Sequence, residues 1–202
     1  MREGRVFYAD HDHVHVLRYV GDVRHPLAHS VSGFVDKLFE HLDGDDLVFD
    51  LSEADAIDST NLGEIARIAD RLSARNGKRA AIVSTRPEIS QVLFSMAFDQ
   101  VFDICTGRGT GDDPGKSHPS GRSTPSGVPQ RHEAAPAGES PGAKNGQPIP
   151  NLPVSRDASL RVILTAHRRL MQMSESNRTQ FREVVEMMER ELDSSKIDPN
   201  AP

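Results

Sequence analysis

Apolar residues recur with two different periods over the first 105 positions. "RVFYA" and "VHVLRYVGDV" are β-branched and aromatic runs on either side of the polar "DHDH", which predicts an antiparallel hairpin. From Leu27 the spacing becomes helical, through Val31, Phe34, Val35, Leu38 and Leu42, until Gly44 stops it. "LVFDLS" (47–52) then reads as a short buried strand. A second helix follows, with Leu62, Ile65, Ala66, Ala69 and Leu72 inward and Gly77 beyond its end. "AAIVST" (80–85) is another buried strand, Pro87 opens a third helix with Ile89, Val92, Leu93 and Met96, and "QVFDI" (100–104) predicts a last short strand. Strands alternating with helices imply parallel pairing after the antiparallel opening, hence a mixed-sheet α/β domain over residues 1–106.

The pattern breaks at Gly107. Residues 107–153 hold nine of the 13 prolines and nine of the 15 glycines, with almost no large apolar side chain. Such a segment buries too little surface to offset its ordering entropy, so it is expected to be a disordered linker. Periodicity returns in residues 154–195: Leu160, Ile163, Leu164, Leu170 and Met171, a polar break at "SESN", then Phe181, Val184, Val185, Met188 and Leu192. Two amphipathic helices in a hairpin, or one long helix, satisfy this spacing. Arg161, His167, Arg168 and Arg169 in the first half oppose Glu183, Glu186, Glu189 and Glu191 in the second, so the halves can pair or dock on other surfaces. Residues 196–202 are expected to be disordered.

Composition adds bounds to this picture. A net charge of −6 and a pI near 5.8 argue against general nucleic-acid binding, which calls for a basic patch. The single cysteine, Cys105, has no internal disulfide partner, and no secretory signal opens the chain, so a reducing cytoplasm is the simplest setting. No run approaches the roughly 20 apolar residues that span a bilayer, so direct membrane insertion is not expected.

The chemistry concentrates in "IDSTNLGEIARI" (57–68), where Asp58, Ser59, Thr60 and Asn61 crowd between a strand and a helix. One reading is capping, since all four residue types accept hydrogen bonds from the free N–H groups of a helix start; Asn61 and Glu64 even have the offset of a capping box. The other is that one hydroxyl is modified. A phosphate at a helix start meets unpaired donors and the positive end of the helix dipole, and changes the surface without unfolding the domain.

"LVFDLSEADAIDSTNLGEIARI", preceded by "YVGDVR" and followed by "AAIVST" and "LFSMAFDQVFDI", resembles the STAS domain of bacterial anti-sigma factor antagonists over about residues 5–105. The resemblance implies a small mixed-sheet domain with no enzymatic activity or cofactor of its own, acting as a partner switch in transcription regulation. It implies Ser59 as the phosphorylated residue, with Thr60 the second choice, and Asp58, Asn61 and Gly63 as support for the turn. The implied partners are an anti-sigma factor or a serine kinase of the GHKL type, and a PP2C-like phosphatase that removes the group. Asn61 stands where the family more often has Gly, a change read as harmless because Asn tolerates left-handed geometry. The tail resembles an extension found on some members that act with phosphatases fused to response regulators. STAS domains also serve as accessory subunits of membrane transport complexes for lipids or anions, the alternative role.

Three further groups need weighing. His11, His13 and His15 would line one face of a continuous strand as metal ligands do, but a turn within residues 10–13 breaks the alignment, so no metal is expected. Asp50 at a strand end invites comparison with a receiver phospho-aspartate, without the acidic pair and lysine such a site needs. Arg67, Ile68 and Arg71 follow Ser59 on the same helix, with Ile68 off the main apolar face, and are expected to form a partner-binding surface.

Overall fold

The structure, a computed structural model, describes residues 2–42, 44–106 and 146–197. Most of the expected linker, 107–145, and the end of the chain from 198 lie outside the described residues. Strands β1 (Arg5–His11) and β2 (Val14–Val23) form the opening hairpin. Asp12 and His13 turn between them with φ of 45° and 65°, the doubly left-handed geometry that matches strand twist in a two-residue turn. The chain continues through α1 (Pro26–His41), β3 (Asp46–Ile57), α2 (Ser59–Asn76), β4 (Ala81–Ser84), α3 (Pro87–Ser95), a 3-10 turn (Phe98–Gln100) and β5 (Asp103–Thr106). After the linker come β6 (Gln147–Pro148), α4 (Arg156–Met173) and α5 (Glu175–Ile197). The sheet order is β5-β4-β3-β2-β1-β6, antiparallel at β2-β1-β6 and parallel elsewhere.

Strand β3 is twice the expected length because β2 offers it a partner to the end. Gly21, at φ 76°, sits where a side chain would strike the carbonyls of Arg2 and Glu3, and the pairing shifts register around it. Pairing resumes at Val23↔Ile57, and the Asp58 N–H donates to the Val23 carbonyl at 3.2 Å. The sheet thereby delivers the start of α2. The last strand begins three residues late, because Phe98 and Phe102 are both buried and stack at 5.1 Å, holding residues 98–102 in a compact turn.

The end of the segment expected to be linker is part of the fold instead. Gln147 and Pro148 pair with Tyr8 and Phe7, and the Ile149 N–H donates to the Val6 carbonyl at 2.8 Å while its side chain is buried. An open sheet edge offers unpaired backbone groups, and a strand as short as two residues covers it, with a proline tolerated at the rim. The Leu152 N–H then donates to Ser30 Oγ of α1 at 2.9 Å.

The tail forms the hairpin. Ser155 caps α4 through the Ala158 N–H, and Ser174, the one residue between the helices, accepts from the Asn177 N–H. Arg156 pairs with Glu191 and Arg168 with Glu189 across it. Leu164, Val185 and Leu192, with Leu160 and Met188, make an apolar cluster of the hairpin's own.

Candidate functional site

Asp58 alone caps α2. Its backbone is extended, and its Oδ1 accepts from the Asn61 N–H and from Asn61 Nδ2, each at 2.9 Å. Asn61 is therefore not a cap but the third residue of the helix, and it has no left-handed backbone. Its tolerance at this position rests on reaching back to Asp58. Glu64, expected as the far end of a capping box, instead binds Arg67 at 2.7 and 2.9 Å. Thr60 is buried, which removes it as an accessible acceptor, whereas Ser59 is half-buried and its hydroxyl is not used in capping.

That hydroxyl meets the tail. Ser59 Oγ lies 2.9 Å from Nε2 of His167 on α4, while His167 Nδ1 lies 2.7 Å from the Ile163 carbonyl. A carbonyl only accepts, so the neutral ring carries its proton on Nδ1, and Nε2 accepts from the serine. His167 is 6% exposed, with Phe181 of α5 packed edge-on against the ring at 5.1 Å. One turn along α2, a methyl added at Gly63 would stand 2.3 Å from the Ala166 carbonyl oxygen, so the two helix backbones touch there. Two turns further, Asp70 accepts from Arg169 Nη2 at 2.6 Å. Asn177, fully buried at the start of α5, donates to the carbonyls of Met96 and Leu170. Leu170, Met173 and Phe181 join the apolar core of the head.

By sequence alone His167 is one of the basic residues of the tail. Its signal was positional: it falls three residues after Leu164 and three before Leu170, on the inward face of α4.

The expected partner surface on α2 is corrected in one residue and occupied in the other two. Ile68 is fully buried, because α2 is covered on two faces rather than one. Arg67 binds the buried Glu64 carboxylate and Ser32 of α1, and Arg71 pairs with Asp36 of α1 at 2.5 Å with its guanidinium over Phe39. The Glu64 hydrogen bond, with the charge of Glu64 and Asp36 behind it, holds the Arg67 pKa above its ordinary value. Burial pushes the Tyr19 phenol up as well, and the charge of Glu64 adds to it.

The histidines of the opening hairpin do not converge. His11 faces Asp12, whereas His13 and His15 bind the two oxygens of Asp45 at 2.8 and 3.0 Å, and Tyr8 Oη reaches His15 Nδ1 at 2.8 Å. The His15 hydrogen bond, seconded by His13, holds the Asp45 carboxyl below its ordinary range. Among the described residues no group of three or more His, Cys, Asp or Glu is placed to hold a metal. Asp50 accepts from the Ser52 N–H at 2.9 Å, a local contact within β3.

A serine hydrogen-bonded to a histidine also suggests a nucleophile and its base. Here the pair lies in a closed helix contact. Two open clefts among the described residues, about 550 Å³ between α4 and α5 and about 370 Å³ beside Arg2 and Asn151, do not reach it. No described helix is long and apolar enough to cross a membrane.

The model of the STAS domain matches residues 8–110. No curated protein matches the chain. Among solved structures, an NMR structure of the protein TM1081 is similar at 27% identity and a TM-score of 0.44, covering 49% of this chain and 78% of that one. A crystal structure of the same protein from Thermotoga maritima, described as a candidate anti-sigma factor antagonist, is similar at 27% identity and a TM-score of 0.44, covering 48% and 84%. The matched span runs from β1 to just past β5 and includes Asp58, Ser59, Asn61 and Gly63; the chain belongs to the STAS domain family.

Proposed function

We propose that this protein is an anti-sigma factor antagonist that works as a phosphorylation-controlled partner switch. With a free Ser59 hydroxyl the head binds an anti-sigma factor or a GHKL-type serine kinase; with phosphate on Ser59 it lets that partner go. The γ-phosphoryl group of ATP passes to Ser59 Oγ, forming one O–P bond as the β–γ bridge breaks. ADP leaves, and the hydroxyl proton goes to a base of the kinase. A PP2C-like phosphatase, in some arrangements fused to a response regulator, hydrolyses the ester to inorganic phosphate and restores the hydroxyl.

The observation that carries this reading is the division of labour at the start of α2. Asp58 performs the capping, so the Ser59 hydroxyl is left over for another role at a helix start suited to an anion. About 1.5 to 2 added negative charges beside Asp58 would disfavour a close-packed partner there while the cap held the fold. The test is phosphosite mapping on protein from its native cells, in growth and under stress, with partner capture by the unmodified chain and by Ser59→Ala and Ser59→Glu variants. Changing occupancy at Ser59, with an anti-sigma factor captured by the first two forms and not the third, is the expected result. An unmodified Ser59 in every condition overturns the reading.

A further inference from the structure

The face of α2 that starts at Ser59 is a surface built to take a helix, and in this structure a helix of the same chain is on it. Ser59, Gly63 and Asp70 lie along one stripe and meet His167, Ala166 and Arg169 of α4 in turn, as a donor to an acceptor, a backbone to a backbone and an acid to a base. Apolar contact from Leu170, Met173 and Phe181 completes the seat. The hairpin that supplies these residues also has an apolar cluster between α4 and α5 and charge pairs across it, so its two helices are tied to each other as well as to the head. Leu170, Met173 and Phe181 also belong to the apolar core of the head, so leaving the seat exposes them, and a helix that replaces the hairpin must cover them.

We propose that the α4–α5 hairpin is an intramolecular occupant of the Ser59 face, seated only while Ser59 carries a hydroxyl, and that a partner protein competes for the same stripe with a helix of matching chemistry. This rests on the reading of Ser59 as the switch and extends it to what the switch moves. Two features make the hydroxyl a condition of closure. A tetrahedral phosphoryl group is larger than the hydrogen-bond gap between Oγ and Nε2, and Gly63 against Ala166 leaves no slack for α4 to yield in place. Asp58 stands beside Ser59 and adds like charge. The competing helix carries a small residue opposite Gly63, a hydrogen-bond acceptor opposite Ser59, and a cation opposite Asp70.

The experiment uses the full chain with phosphoserine installed at position 59 during translation, compared with the unmodified chain by hydrogen exchange. A fluorescent synthetic peptide of residues 154–193 probes the vacated stripe. Ala166→Arg opens the contact sterically. Arg169→Asp opens it by charge and leaves Asp70 free for the peptide, and Arg169→Asp with Asp70→Arg restores it, which keeps the test valid should the first variant fail to fold. The expected result is exchange about tenfold or more faster in α4 and α5 of the phosphorylated chain, with β3 and β4 unchanged. The opened variants bind the peptide when Ser59 is free and fail to bind it when Ser59 is phosphorylated, and the unmodified chain does not bind it. Unchanged protection of α4 and α5 on phosphorylation overturns the proposal, as does peptide binding indifferent to the phosphate. Loss of protection in β3 and β4 as well overturns it too, since the phosphate would then unfold the head. Because the phosphate is installed rather than added by a cellular kinase, this outcome is independent of Ser59 occupancy in cells, which judges the switch reading itself.

Discussion

Ser59 and His167 stand 108 positions apart in the chain and share one hydrogen bond of 2.9 Å. That bond ties the start of α2 to the middle of α4, and the Gly63 contact one turn away fixes how close the helices come. Replacing His167 by Ala removes an acceptor for Ser59 and a ring packed on Phe181, while leaving every head contact described above in place. We expect faster hydrogen exchange in α4 and an unmoved far-ultraviolet spectrum, with a loss of about 1 to 3 kcal/mol in urea titration.

Gly63→Ala should be worse than its one methyl suggests. The clash is with the backbone of Ala166 rather than with the tip of a movable side chain, so relief requires α4 to shift bodily. Overpacking of this kind costs about 1 to 3 kcal/mol. Thermal melts should fall, and the loss should vanish in a chain already opened by Ala166→Arg; additivity of the two losses would contradict the contact.

Asn177 is the polar rivet of the hairpin. Its amide donates to Met96 at the end of α3 and to Leu170 of α4, in full burial. Asn177→Ala leaves two carbonyls without this donor and should cost about 2 to 3 kcal/mol, read by chemical denaturation. Asn177→Asp should cost at least as much, because it adds a buried charge beside two carbonyl oxygens.

The arginines of α2 separate by burial. Arg67 meets a carboxylate that is 3% exposed, so Glu64→Gln should cost about 1 to 3 kcal/mol. Arg71 and Asp36 are 41% and 55% exposed, so Arg71→Ala should cost about 1 kcal/mol or less even with its Phe39 contact. Comparable losses in urea titrations of the two variants would contradict this ordering.

Asp45 links folding to pH. Its carboxyl is depressed in the folded state by His15 and His13, so it contributes stability that is complete above the unfolded value of about 3.9 and fades as pH falls through the lower folded value. The difference in melting temperature between the natural chain and Asp45→Asn should therefore shrink as pH falls from about 5 toward 3. A difference that grew on acidification would reverse the assigned sign.

Most of the head was legible because its strands and helices each bury one periodic face, and periodicity is written in the order of residues. Ile68 shows where this stops. It lies off the stripe that faces the sheet, and looks exposed until a second layer covers α2. Ser59, Gly63 and Asp70, on the opposite side of α2, are covered by α4, which comes from beyond a long proline- and glycine-rich stretch, and no local pattern reports which distant helix will return to which face. Likewise Asp58, Ser59, Thr60 and Asn61 were equivalent as cap formers by residue type. Only the backbone shows that one caps, one supports it, one is buried and one is left over.

The two-residue strand β6 has a consequence for timing. Gln147, Pro148 and Ile149 pin the chain to the sheet edge, and Leu152 to α1, so only residues 153–155 separate the last anchor from α4. A hairpin released from α2 is then held on a leash of three residues, and the long stretch before it does not set its reach. A leash that short keeps the local concentration of the hairpin high, so reclosure is a first-order event and an outside helix must win against a neighbour that never leaves. Partner abundance alone would then be a weak input, and the covalent state of one hydroxyl a strong one.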